Sequence, residues 1–596
     1  MIAARAAITV LGLSLLGSAS VFAQEADRTG TETLRPSLAD SAVSSGQVEL
    51  PSLPDVAVSF DDAPVAIALP ALPEVEVRVE APVTVAAPAP IEIEPPALPA
   101  ITVALPLGDL IGPALAERLA DTGAPMHRRM RAADREALLA FYALGDFKPL
   151  WIAGTADAPS WTGAANRVIA RLRAAGEDAL DPSDYAVPAL GVTARESISD
   201  LVEAELELSV SAVLYARDAR GGRIDPRRFG KLVTPKLDIP APDHVLTVLA
   251  AAPDAGETLG AYNPPHAEYR ALKARLAELR ANRPSQPMVR VPAGPSLKVG
   301  MSDPRVPLIR ARFGLGASED ERLYDRRVAS AVADFQRDIG LKASGVLTPR
   351  TAAALGESRS SRTEGDLVAN MERWRWLPAD LGDRHIFVNV PDYTMKLMDG
   401  ADVVHEARVI VGKAQTPTPL FSDEMEHLIV NPYWTIPPSI LRNEILPGLA
   451  ADPDYAAKRG YEVIRRGDRI SVRQPPGERN ALGLIKFMFP NDHAVYLHDT
   501  PNRSLFGNTK RAYSHGCVRV DKPFELAEFL LRQEGWTQER LKKLVGRGER
   551  LIRLEKHLPV HLAYFTIRIG ADGRMRTLED LYGLNQKVRE ALGING

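Results

Sequence analysis

In the first half of the chain, apolar residues recur at helical spacing in three stretches: Asp134–Tyr142, Ala164–Ala175 and Val202–Arg220. In the last of these, Leu206, Val210, Val213 and Leu214 share one side, with Glu203, Glu207 and Asp218 among the charges elsewhere. That is the stripe of a core-facing helix. Turn signals at Asp178–Asp184 and from Gly221 to Pro226 separate the stretches. Order is expected to begin near Arg128, and residues 124–285 are expected to form one helical domain. A linker at 286–295 leads to a smaller helical unit at 296–356, with helices predicted over Val306–Phe313 and Val328–Ile339. A third helix opens at Thr348, a suitable N-cap, with Pro349 in the first helical position. From Arg384 the period shifts to two. His385–Val390, Tyr393–Met398, Val403–Gly412, His427–Val430, Ile470–Val472, Ala494–His498 and His561–Ile569 read as strands, the last preceded by a helix at Asp521–Gln533. Residues 365–596 are therefore expected to be a β-sandwich or barrel-like domain with a few helices, and the whole chain a multidomain α+β protein.

Composition changes this picture mainly at the N-terminus. Met1–Ala23 has a short n-region with Arg5, an apolar run from about Ile8 to Leu16, and small residues ending at Ala23. This is the layout of a secretory signal peptide cleaved after Ala23, and the run is short for a membrane anchor. Export to the periplasm is expected. Residues 24–123 alternate Pro, Ala, Val and acidic residues, with 11 prolines in 51–100, and predict an extended, disordered spacer. The spacer carries a local net charge of −12, which leaves +7 on residues 124–596 although the whole chain stands at −4. A generally basic nucleic-acid binder is excluded, and no cytoplasmic partner is expected. A mildly cationic body suits an anionic polymer without identifying one.

The 596 residues hold one cysteine, Cys517, so no intramolecular disulfide and no multi-thiolate zinc site can form. A lone cysteine suits an oxidising compartment. Cys517 lies in Ser514-His515-Gly516-Cys517-Val518-Arg519, downstream of a strand ending at His498-Asp499-Thr500. A thiol attacks as its thiolate and needs a base or a cation nearby, which a histidine at an adjacent strand end can supply. Gly516 permits close backbone approach, so amides beside Cys517 can face an oxyanion. The alternatives on residues alone are an inert buried cysteine and a metal site from His498, His515 and Cys517. The metal site has no carboxylate or further thiolate to complete it.

The string His498…Ser514-His515-Gly516-Cys517 with Arg519 resembles the signature of the L,D-transpeptidases of bacterial cell walls. Met371–Pro378, Val409–Lys413, Asn431–Trp434 and Gly483–Pro490 are similar to the large periplasmic branch of that family. The unit at 296–356, through Asp303–Val306, Tyr324-Asp325, Val332–Gln336 and Gly345–Pro349, resembles the peptidoglycan-binding module of cell-wall enzymes. The resemblance implies a helical scaffold, a small three-helix peptidoglycan-binding module and a mainly-β L,D-transpeptidase catalytic domain. It also implies a capping insertion, for which residues 441–482 are the candidate, with turns at Pro447-Gly448 and Pro475-Pro476-Gly477.

Carried over residue by residue, Cys517 is the nucleophile and His498 its general base. Gly516 and Cys517 lend amides to the oxyanion hole, and Ser514 and His515 shape the loop. Arg519 and Asp499 are the expected substrate-binding pair. Asp499 is also expected to hold His498, through either its backbone carbonyl or its side chain. The implied reaction is a cysteine acyltransfer needing no metal and no cofactor. A peptidoglycan tetrapeptide stem loses D-alanine to form a thioester, and an amine of a neighbouring stem resolves it into a 3→3 cross-link. An L,D-carboxypeptidase and an enzyme attaching protein to peptidoglycan share the acyl-enzyme and differ in acceptor. A wall-bound scaffold is the non-enzymatic alternative.

Overall fold

The structure, a computed structural model, describes residues 106–594 except 122, 124–127, 156, 191–196, 283–288, 290, 340, 357–358, 468 and 571. The expected signal peptide and most of the spacer lie outside the described residues. Among the described residues, no helix is long and apolar enough to cross a membrane.

The helical region comprises α1 (Leu107–Ala120), α2 (Ala132–Leu144), α3 (Gly163–Arg173), α4 (Ile198–Gly221), α5 (Pro242–Ala251), α6 (Ala255–Gly260) and α7 (Ala267–Ala281). A short hairpin, β1 (Ile152–Thr155) and β2 (Ala158–Trp161), interrupts it. The first helix corrects the expected extent of the spacer. Leu107, Ile111, Leu115 and Leu119 recur every four residues and are all buried in the same core as α4. Pro113 and the surrounding Pro/Ala-rich composition hide that stripe in the sequence. The 24-residue α4 is the axis of the domain and is buried along most of its length. Its N-terminus is fixed by a capping box, Ser197 Oγ accepting from the Asp200 amide at 3.2 Å and the Asp200 carboxylate from the Ser197 amide at 3.0 Å.

Helices α8 (Val306–Phe313), α9 (Arg326–Asp338) and α10 (Pro349–Gly356) form the small module around Val306, Ile309, Val328, Val332 and Leu347. Thr348 caps α10 by accepting from the Thr351 amide at 3.1 Å. Val291, within the expected linker, is buried in the same core.

Next, α11 (Arg359–Trp374) runs into a joint between the helical region and the sheet. The Glu372 carboxylate accepts from the Ile224 amide at 2.9 Å. Arg373 donates to the Tyr564 carbonyl at 2.7 Å and to Asn585 at 2.8 Å. Arg375 donates to Tyr269 Oη at 2.8 Å and pairs with Glu372 at 3.5 Å. Trp374 stacks on Phe565, with ring centroids 4.4 Å apart.

The strands from Arg384 to Ala563 are β3 (Arg384–Asn389), β4 (Thr394–Asp399), β5 (Asp402–Gly412), β6 (Phe421–Val430), β7 (Trp434–Thr435), β8 (Glu462–Arg466), β9 (Arg469–Gln474), β10 (Ile485–Met488), β11 (Leu497–His498), β12 (Ala512–Ser514), β13 (Val518–Val520) and β14 (Arg550–Ala563). All but β7–β9 form one mixed sheet in the order β12-β5-β13-β11-β10-β6-β14-β3-β4. Because β4 also pairs with β5, the sheet closes on itself as a barrel-like core. A strap from the helical region reaches this sheet: the Thr234 amide donates to the Leu420 carbonyl at 3.0 Å, and the Leu420 amide to the Leu232 carbonyl at 2.7 Å.

Two strands differ from expectation. The one predicted at Ala494–His498 shrinks to Leu497–His498, because the Asn491 side chain binds the Phe489 and Val495 carbonyls and Ala494 adopts φ +52°. The one predicted at His561–Ile569 starts far earlier, at Arg550, behind a register shift between Arg553 and Leu558. It breaks at Ala563, where the Asn389 and Asn370 side chains take the Phe565 and Thr566 amides, and the end of the predicted range, Ile567–Ile569, forms a separate hairpin with Met575–Thr577. In the expected insertion, β7–β9 form a separate sheet over Ile436, Ile445 and Val472. That sheet includes Trp434, upstream of 441. Pro447-Gly448 is not a turn: both residues lie inside the helix Leu446–Ala451, which continues directly from a π-helical turn at Leu441–Ile445.

Candidate active site

Strand alternation assembles the site. Phe487, Leu497 and Val518 are in register across β10, β11 and β13 and are fully buried in the core. Their neighbours Lys486, His498 and Arg519 form the next row and face the other way. Tyr496 and Cys517, which immediately precede β11 and β13, lie against the same row: the Tyr496 ring packs on His498 and under Lys486, and its hydroxyl reaches Cys517. One face of three adjacent strands thus presents a thiol, an imidazole, a phenol and two cations.

His498 is buried, and its Nδ1 lies 2.5 Å from the Asp499 carbonyl oxygen. A carbonyl only accepts, so Nδ1 carries the proton and Nε2 is left with the lone pair of a base. Burial, then the Arg519 charge, hold the imidazole pKa down at about 3. The ring is therefore neutral at rest. The Leu482 carbonyl also lies within hydrogen-bonding reach and favours the protonated form.

Cys517 is partly exposed, and packing around its sulfur raises the thiol pKa above the ordinary range. The Tyr496 amide and hydroxyl, both within reach of Sγ, and the Arg519 charge pull in the opposite direction. The pair therefore rests as neutral thiol and neutral imidazole, and the proton must move during attack rather than before it.

Ser514 is buried and ties the loop: its hydroxyl donates to the Cys517 carbonyl at 2.6 Å and accepts from the Gly516 amide at 3.1 Å. This corrects the expected oxyanion donors, because the Gly516 amide is already committed. The glycine instead serves a φ of +123°, which a side chain would strain. Among the described residues, the His515 and Cys517 amides have no protein acceptor.

Asp499 is a second correction. Its carbonyl orients His498, while its buried carboxylate accepts from the Leu484 amide at 2.9 Å and from Arg503 at 3.0 and 3.1 Å. Gly483, at φ +63°, leaves room for it: a Cβ there would lie 2.4 Å from the Asp499 carboxyl carbon. The side chain has no freedom to meet substrate.

Arg519 is half-buried, lies beside Cys517 and His498, and has no acceptor for its Nε. The His515 Nε2 lies 3.0 Å from Glu444 Oε1 on the insertion. The insertion also brings Trp434 against the Tyr496 hydroxyl. Among the described residues, no group of three or more His, Cys, Asp or Glu side chains is arranged to hold a metal.

Tyr496, Lys486 and Glu444 were not anticipated from the sequence. The first could have been found by counting back two positions from His498 along the chain.

This is a closed mixed sheet that carries a cysteine and a histidine on adjacent strand ends, the setting for acyl transfer. Residues 383–546 match the family model of the L,D-transpeptidase catalytic domain, residues 136–276 that of the scaffold domain, and residues 311–355 one described as "Putative peptidoglycan binding domain". A Haemophilus influenzae protein named "Putative L,D-transpeptidase" is 35% identical over 254 residues, covering 39% of this chain and 51% of that one. The chain thus spans about half the length of the curated relative it matches. A solved L,D-transpeptidase from Xylanimonas cellulosilytica is 14% identical, covering 46% of this chain and 98% of its own, with a TM-score of 0.14. A solved variant of an Enterococcus faecium L,D-transpeptidase is 12% identical, covering 48% and 99%, with a TM-score of 0.15. Scores that low carry no weight for the fold. The chain carries an L,D-transpeptidase catalytic domain, joined to a scaffold domain and a peptidoglycan-binding domain.

Proposed function

We propose that this protein is an exported, periplasmic L,D-transpeptidase that joins peptidoglycan stems by 3→3 cross-links through a thioester on Cys517. The observation that carries this reading is the shared face: Cys517 and His498 stand beside Arg519, with two unengaged amides next to the thiol.

In the proposed reaction, Cys517 Sγ attacks the carbonyl after the third residue of a tetrapeptide stem as its proton passes to His498 Nε2. The oxyanion is met by the His515 and Cys517 amides. Collapse breaks the C–N bond, His498 returns the proton to the departing D-alanine amine, and a thioester remains. The amine of a neighbouring stem attacks the thioester and yields a proton to His498; the thiol is then regenerated. The Asp499 carbonyl, and the Leu482 carbonyl near the ring, support the imidazolium in both halves. Arg519 and Lys486, the latter over the Tyr496 ring, face the site without an ion pair among the described residues and suit the stem's carboxylates. The insertion, touching the loop through Glu444 and Tyr496 through Trp434, suits exclusion of water from the thioester, which favours an amine over water as acceptor.

The test is mass spectrometry of the full chain incubated with disaccharide-tetrapeptide, wild type beside Cys517→Ala. A fragment starting at residue 124 would omit α1, a core helix. A D-alanine-depleted dimer made only by the wild type supports the transpeptidase. A tripeptide monomer alone makes the protein a carboxypeptidase or points to a protein acceptor. No product from either sample overturns the enzymatic reading in favour of a wall-bound scaffold.

A further inference from the structure

The nucleophile loop is gripped by its carbonyls, all from one side. The Ser514 carbonyl accepts from the Lys413 amide at 3.1 Å and from Thr416 Oγ1 at 3.0 Å. The Gly516 carbonyl accepts from Thr418 Oγ1 at 2.8 Å. Thr418 is 1% exposed, and its hydroxyl also accepts from the Gly412 amide at 2.9 Å. A hydroxyl has one proton; with a lone pair already taken by Gly412, that proton is directed to Gly516. Thr418 is itself fixed: its amide donates to Tyr582 Oη at 3.1 Å, and Tyr582 Oη donates to the Gly412 carbonyl at 2.8 Å. Gly412 must be glycine beneath this turn, because a Cβ would lie 2.2 Å from the Thr416 carbonyl oxygen.

A trans peptide is planar, so each C=O points opposite to the N–H that follows it. Holding the Ser514 carbonyl toward Thr416 turns the His515 amide outward, and holding the Gly516 carbonyl toward Thr418 turns the Cys517 amide outward. These are the two amides that lack protein acceptors. The Gly516–Cys517 peptide also follows a glycine at φ +123°, where alternative backbone conformations are cheap. We infer that Thr418 is a positioning residue for acyl transfer: its hydroxyl locks the Gly516–Cys517 peptide plane so that the Cys517 amide points at the developing oxyanion.

This rests on the acyl-transfer reading above and is tested by comparing two reactions of Cys517 in the full chain. Alkylation by iodoacetamide needs the thiolate but no oxyanion; acylation by a carbapenem passes through a tetrahedral oxyanion. In Thr418→Val, acylation is expected to slow by roughly 10–100-fold, within the range for loss of one oxyanion donor. Alkylation is expected to stay within about two-fold of wild type, the most that a shift of under half a kcal/mol would make. Thr418→Ser, which keeps the hydroxyl, restores acylation. With tetrapeptide, the loss falls on kcat and leaves KM unchanged. Equal loss of alkylation and acylation would make Thr418 a merely structural residue, and unchanged acylation would remove its role altogether; either overturns the inference. A wild type that is alkylated but never acylated would overturn the acyl-transfer reading itself, and this inference with it.

Discussion

Two sets of buried cations lie in this chain, and the fold treats them oppositely. At the joint, Arg373 and Arg375 are buried but bonded to carbonyls, hydroxyls and the Glu372 carboxylate. On the active face, Lys486 and Arg519 are half-buried, yet no carboxylate among the described residues lies within ion-pair distance of either. Removing a charge from water costs free energy that a partner must offset. The joint supplies its partners internally and so fixes where the helical region meets the sheet. The active face gives Lys486 only the Tyr496 ring and leaves Arg519 without an ion pair, which costs stability and suits a ligand that brings its own carboxylates.

The sharpest break in this contrast is Arg375→Met, which strands Glu372 as an unpaired buried charge. Unfolding of the full chain in denaturant should show a loss of about 3–5 kcal/mol. Arg519→Met should do the reverse: stability unchanged or slightly raised, with turnover of tetrapeptide down ~100-fold, as for loss of one preorganised charge contact. If both variants lose stability alike, the two sets are not different in kind.

The neutral resting thiol gives a third measurement. Iodoacetamide labelling of Cys517 should climb roughly tenfold per pH unit from pH 6.5 to 8.5, because the thiolate forms only above the ordinary thiol range. A plateau from pH 6 upward would mean a preformed thiolate–imidazolium pair.

Acid stability probes the joint again. His266 and His561 are held neutral by burial, each with its pKa lowered from 6.5 to about 4. The unfolded chain binds these protons first, so the stabilisation is complete above pH 6.5 and is lost as pH falls from 6.5 toward 4. The loss should be on the order of 3 kcal/mol per imidazole. His561→Gln should flatten the slope of melting temperature against pH in that window, and an unchanged slope would count against the assignment. The smallest effect belongs to Glu444→Gln. Its contact with His515 is exposed on both sides, so melting should move by less than about 1 kcal/mol and KM by roughly two-fold at low salt.

The periodic parts of the fold were legible. The helix predicted at Val202–Arg220 is the body of α4, and the strands predicted from His385 to Gly412 match β3–β5 within a residue or so. Periodicity failed where side chains override it, as Asn491 does before His498 and as Asn389 and Asn370 do after Ala563. In the site, His498 and Arg519 could be read because they sit on strands whose alternation fixes their face, and Cys517 because it is the one cysteine of the chain, set between Gly516 and a strand. Asp499 could not, because it follows the last residue of β11, where alternation no longer dictates direction. The Gly516 amide was misassigned for a related reason: nothing in the string shows that the Ser514 hydroxyl folds back to occupy it.

The strap at Leu232–Thr234 has a bearing on how such a protein can be inherited. It pairs with Leu420, two residues after Thr418, which in turn holds the Gly516 carbonyl. A copy of the barrel moved onto another chain without the helical portion would lose the two backbone bonds at Leu420 but keep the Tyr582 and Gly412 contacts that fix Thr418. Recombination of this domain would therefore expose one short edge beside the nucleophile turn, and a new host chain would have to cover it.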